Sequence, residues 1–102
     1  MNEQQVETEI QAKGLTAPRV TPEQIDAAIV KQHFWVPPGT TLTVCVLELR
    51  NGFTVTGESA CASPENFNAE LGSKIARDNA RQKIWALEGY TLRTNLMNTP
   101  PS

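Results

Sequence analysis

Hydrophobic positions along the chain change period three times, and each change marks an element. Residues 1–20 are mostly polar, with Val6 and Ile10 four apart, which predicts a short helix ahead of Gly14. Leu15 to Val20 then reads as an extended connection. Thr21-Pro22-Glu23-Gln24 is a helix start, with Thr as N-cap, Pro at the first helical position and Gln completing a capping box. Ile25, Ala28 and Ile29 give that helix an apolar stripe, predicting a run to about residue 32. Pro37-Pro38-Gly39 forces extended geometry after it.

From Thr40 to Cys61 the period shortens to two. Two β-rich runs flank Asn51-Gly52, the dipeptide that best tolerates the positive φ angles of a type I′ turn, so the segment predicts a hairpin. A two-residue turn there places Cys45 opposite Glu58 and Cys61 opposite Leu42. The thiols then point to opposite sides and form no disulfide. One face would carry Leu42, Val44, Val46, Phe53 and Val55; the other Cys45, Leu47 and Leu49, with Thr54 and Thr56. Both faces need cover, one from the long C-terminal helix, the other from the N-terminal helix or a second copy of the chain.

Ser63-Pro64 is a second helix start, with Glu65 near the positive helix end. Phe67, Leu71 and Ile75 form one stripe, and Ala76, Ala80, Ile84 and Leu87 another. Gly89 marks a break or kink near Tyr90. The chain as a whole reads as one α+β domain over 1–102. An antiparallel hairpin or small sheet packs with a long C-terminal helix and a shorter N-terminal one. Residues 1–14 are weakly ordered or a short helix, and 97–102 a flexible tail.

Composition narrows the function classes. The net charge of −2 gives no general attraction for a DNA or RNA polymer or a membrane surface. No apolar run approaches the ~20 residues of a membrane span, and the acidic N-terminus is unlike a signal peptide, so a cytosolic protein is expected. The single histidine, His33, and the two cysteines form no cluster with metal-ligand spacing, and no cofactor motif is present.

Candidate chemistry is confined to a few side chains. Lys74, Arg77 and Arg81 fall within about 60° on a helix, one narrow basic stripe suited to phosphate oxygens. The same stripe also fits a solvated face in which Glu70 pairs with Lys74. Phe53, beside the turn, could stack on a base or pack in the core, and Asn66 lies in the first helical turn. Trp35 and Trp85 read as core or interface residues. No nucleophile elbow, phosphate loop or carboxylate pair is visible, so the chain reads as a binding protein and not an enzyme.

Five segments taken together, Thr40–Leu47, Asn51–Cys61, Ser63–Phe67, Lys74–Ala80 and Lys83–Tyr90, resemble small phage accessory proteins typified by those of phages N4 and Sf6. The likeness spans residues 15–96 and extends to the first-type Thoeris anti-defence proteins. Those are sponges that bind and hide the cyclic ADP-ribose signal of bacterial TIR-domain enzymes, and some related sponges capture cyclic di- or trinucleotides of CBASS-type systems. The resemblance implies a homo-oligomer, a dimer or trimer of dimers, with pockets at subunit boundaries and a ligand that is not cleaved. It implies the cytoplasm of the infected bacterium as the place of action. Residue by residue it implies Arg77 and Arg81 on the phosphates and Phe53 stacking. Asn66 or Ser63 would give a polar contact, with Arg19 and Arg50 as secondary candidates. The alternative is a phage protein that binds and inhibits a host or defence protein directly.

Overall fold

The computed structural model describes residues 2–15 and 17–98. Two capping boxes start the first two helices. Asn2 Oδ1 accepts from the Gln5 amide at 2.8 Å and opens α1 (Glu3–Ala12); Thr21 and Gln24 make the reciprocal pair that opens α2 (Pro22–Ala28). Beyond Ala28 the helix does not continue to residue 32. Ile29–Trp35 instead forms a strand, β1, antiparallel to β2 (Leu42–Leu49), with a bulge between Ile29 and Lys31. The apolar stripe that suggests helix is only one turn long. The backbone of 29–35 gains a full ladder by pairing with β2, which local periodicity does not register.

β3 (Thr54–Ala60) pairs antiparallel with β2, giving a three-stranded sheet in the order β1-β2-β3. The hairpin loop is longer than a type I′ turn. Leu49 N–H donates to Phe53 O at 2.8 Å, so Arg50, Asn51 and Gly52 lie outside the ladder. Gly52 has φ +89°, and no residue other than glycine has a positive φ among the described residues, whereas type I′ needs it at both central positions. Cys45 therefore faces Gly57, and Leu47 faces Val55. This one-residue slip turns β3 over: Val55 joins Cys45 and Leu47, while Thr54 and Thr56 share the other face with Val44 and Val46.

Cys61 consequently has the parity of Cys45 and not the opposite one. It lies beside Thr41, its amide donating to the Thr41 carbonyl at 3.3 Å, about 13 Å along the sheet from Cys45. Both cysteines are free, as expected, but separation along the strands and not opposite facing keeps them apart.

Ser63-Pro64 yields only a single 3₁₀ turn, Pro64–Asn66, because Phe67 is extended (ψ 128°). Asn68 starts α3 (Ala69–Asn98), its Oδ1 accepting from Leu71 N–H at 2.9 Å. The helix passes through Gly89 without a break, and Met97 and Asn98 belong to it and not to a tail; Thr99–Ser102 lie outside the described residues. Thirty residues span about 45 Å, more than the ~27 Å of an eight-residue strand, so the end of α3 overhangs the sheet. Tyr90 and Met97 are exposed there.

Four positions one turn apart, Gly72, Ala76, Ala80 and Ile84, dock α3 on the sheet. Opposite them Thr43, Cys45, Leu47, Leu49, Val55 and Gly57 are buried, and Ile25 and Ala28 close one end of the core. The Phe67-Leu71-Ile75 stripe stays outside: Leu71 and Ile75 are exposed. Among the described residues no helix covers the reverse face of the sheet, where Trp35 is 62% exposed beside half-buried Val44 and Val46. Trp35 is thus no core residue, whereas Trp85 packs against the core.

Candidate ligand-binding site

The basic stripe exists, and its three members have different surroundings. Arg81 is almost covered, its side chain 11% exposed. Its Nη1 and Nη2 donate to the two carboxylate oxygens of Glu3 at 2.6 and 3.0 Å, and its Nε to Asp26 Oδ1 at 2.9 Å. The Pro22 carbonyl accepts a longer bond at 3.4 Å. The Glu3 carboxylate, against the opposing effect of burial and with help from Asp26, holds this guanidinium even more firmly protonated than an ordinary arginine.

Arg77, one turn earlier, is half-buried and otherwise open. Its Nε donates to Gln32 Oε1 at 2.8 Å, and its two terminal nitrogens have no partner among the described residues. The charge reaches the buried Cys45 thiol, whose pKa burial raises while Arg77 pulls it the other way. Lys74 lies in solvent, 3.5 Å from Glu70.

The remaining candidates are dispersed over the surface. Arg19 grips Glu7 with both terminal nitrogens and holds that carboxyl below the usual glutamate range. Arg50 pairs with Glu88 at 3.0 Å. Arg19 and Arg50 line one open cleft of about 490 Å³ between the α2 side and the end of α3. Phe53, 56% exposed, borders a separate hollow of about 220 Å³ with Leu87 and Tyr90. Asn66 lines a third, about 180 Å³, with Cys61, Phe67 and Leu71. Ser63 caps nothing with its side chain; its carbonyl accepts from Cys61 Sγ at 3.1 Å. One protomer therefore unites Arg77 with Arg81 on one face and Arg19 with Arg50 in one cleft, but does not gather the seven residues into one pocket.

Sequence reasoning missed three residues that define the arginine face. Gln32, read as the last turn of a helix, is a strand residue on the α3 side of β1 and orients Arg77. Glu3 and Asp26 saturate Arg81 from 78 and 55 residues away, and no local pattern announces contacts of that range. Among the described residues no group of three or more His, Cys, Asp or Glu is placed to hold a metal ion. His33 pairs with Glu48 on the reverse face of the sheet. No described helix is long and apolar enough to cross a membrane.

A three-stranded antiparallel sheet covered on one face by a long arginine-bearing helix makes this a small α+β protein. Residues 20–96 match the phage protein (N4 Gp49/phage Sf6 gene 66) family, and the chain belongs to that family. The match includes the whole sheet, α3 as far as Leu96, and both stripe arginines; it leaves α1 outside. No curated protein and no solved structure matches the chain.

Proposed function

We propose that this phage protein binds and sequesters an anionic cyclic nucleotide signal in the infected cell without cleaving it. Cyclic ADP-ribose is the first candidate, and cyclic di- and trinucleotides follow. The observation that carries the reading is the state of Arg77. Gln32 fixes its Nε, and the two-pronged edge of the guanidinium has no partner among the described residues, one helical turn from Arg81. Arginine forks match phosphate oxygens in that geometry. Phe53, with Tyr90 beside it, offers an exposed aromatic surface for a base. Sequestration needs these donors and burial, and no nucleophile; its effectiveness depends on slow release.

The reading includes assembly. The reverse face of the sheet, with Trp35 and the Val44-Val46 row, is one that an antiparallel sheet normally covers or makes polar. A second copy of the chain is the proposed cover, and the dispersed candidates would complete a pocket at the boundary between copies. The same face, where Trp35 and the Val44-Val46 row are bordered by Thr54, Thr56 and the His33–Glu48 pair, favours a second reading, direct inhibition of a host or defence protein docked there.

Calorimetric titration with cyclic ADP-ribose isomers, then with cyclic di- and trinucleotides, tests the first reading. Tight binding with the ligand recovered intact after denaturation is expected. Arg77→Ala and Arg81→Ala should each weaken it severely while the protein stays folded; wild-type affinity in both would reject the site. Sedimentation separates the readings, since a stable monomer that binds none of the panel supports the protein-inhibitor alternative.

A further inference from the structure

α1 is held to the rest of the molecule in an unusual way for a helix. None of its residues is buried, and Val6 is 41% exposed. Its apolar side chains Val6 and Ile10 stand across an open cleft of about 510 Å³ from Val20 and Trp85, so they do not pack into a core. Two arginine clamps tie it to the rest of the chain: Arg81 on Glu3 and Arg19 on Glu7. The helix also lies outside the segment shared with the family.

The Glu3 clamp has the geometry of a bound anion. Two carboxylate oxygens meet the two terminal nitrogens of a guanidinium that is 89% covered, the arrangement by which arginine also takes a phosphate. Asp26 uses the remaining Nε, and its side chain is 60% exposed. A ligand phosphate can therefore reach the fork of Arg81 only where Glu3 now sits.

We propose that α1 is a releasable strap: Glu3 occupies the anion position of Arg81 in the free protein, and an anionic ligand gains Arg81 by displacing it. This rests on the reading of Arg81 as a phosphate contact. Release of α1 would also uncover Trp85 and the cleft beside it. Ligand binding and strap docking are then mutually exclusive, and the affinity of the intact chain is lower than that of the bare site.

The test uses full-length wild-type protein and Glu3→Gln, which keeps the Asn2 cap and the length of the side chain. Both are titrated with cyclic ADP-ribose and with inorganic pyrophosphate, and amide exchange of residues 3–12 is followed with and without each. The expected result is roughly tenfold tighter binding by Glu3→Gln, the scale of one charge-assisted hydrogen bond. Faster exchange of α1 in wild-type protein on adding ligand is expected with it. Equal cyclic ADP-ribose affinity in the two proteins, with α1 protection unchanged by ligand, overturns the strap and leaves the sequestration reading standing. A gain for pyrophosphate in Glu3→Gln without any cyclic ADP-ribose binding supports the strap and counts against that signal. No binding of either probe by either protein overturns the strap and removes cyclic ADP-ribose from the proposed signals, while the titration with cyclic di- and trinucleotides decides the sequestration reading.

Discussion

Gly57 of β3 and Ala80 of α3 are in backbone contact: a Cβ added at Gly57 would lie 2.2 Å from the Ala80 amide nitrogen and 2.3 Å from the Ala76 carbonyl oxygen. The atoms in the way are main chain, which cannot rotate aside. Gly57→Ala must therefore lift α3 from the sheet, disturbing the layer that carries Arg77 and Arg81. A loss of about 3 kcal/mol or more is expected, at or above the upper end for overpacked cores. Chemical denaturation measures it; a variant as stable as wild type would mean that the helix does not sit this close.

Gly89 is the contrasting glycine. It lies within α3 with nothing within 4 Å of an added Cβ. Gly89→Ala removes backbone freedom from the unfolded chain without a clash and should stabilise by ~1 kcal/mol. A thermal melt showing destabilisation would indicate a bend at this position.

Thr43 supplies a second contrast. Its Oγ1 is buried with no hydrogen-bond partner among the described residues, pressed toward Gly72 of α3. Thr43→Val keeps the shape and removes the orphaned hydroxyl, and should raise stability by about 1 kcal/mol. That corresponds to roughly 4–8 °C in melting temperature for a domain near this size. A fall would show that the hydroxyl has a partner in solution.

Arg81 and Arg77 should separate in stability as well as binding. Arg81→Ala strips partners from Glu3 and Asp26, both of which can regain water, so a cost of ~1–2 kcal/mol and release of α1 are expected. Arg77→Ala loses one bond to exposed Gln32 and should cost less than about 0.5 kcal/mol. Equal losses in urea titrations would contradict the asymmetry between the two sites.

Acid should loosen α1 and the β1–β2 edge. The bond from Arg19 holds Glu7 below the usual carboxylate range, and the bond from His33 does the same for Glu48. A depressed folded-state pKa gives stability that is fully present above the unfolded value, about 4.3 for glutamate, and is lost as pH falls through the lower folded value. Amide exchange of residues 3–12 should thus be flat from neutral pH to about 4.3, after correction for intrinsic rates, and rise below it. A rise beginning near neutrality would assign the hold on α1 to other groups.

Much of the fold was legible where the controlling contacts are local. The Thr21–Gln24 capping box, the Val6–Ile10 helix and the Ala76-Ala80-Ile84 part of the second α3 stripe are set by residues a few positions apart and occur as expected, whereas Leu87, the last member of that stripe, is exposed. The arginine stripe was visible for the same reason, since helical period alone places Arg77 and Arg81 together.

Other features were decided by tertiary structure. Residues 29–35 are a strand because β2 lies beside them, although Ile25, Ala28 and Ile29 continue a helical period. Asn51-Gly52 announces a hairpin, yet the three-residue loop sets the register, and one residue of register decides whether Val55 or Thr56 is buried. The pattern of side chains likewise marks Arg81 as a cation without saying that Glu3, 78 residues away, occupies it. Caps and periodicity depend on neighbours along the chain, and the sequence by itself determined them. Strand pairing, register and ion pairs depend on neighbours in space, and only the folded protein supplies those.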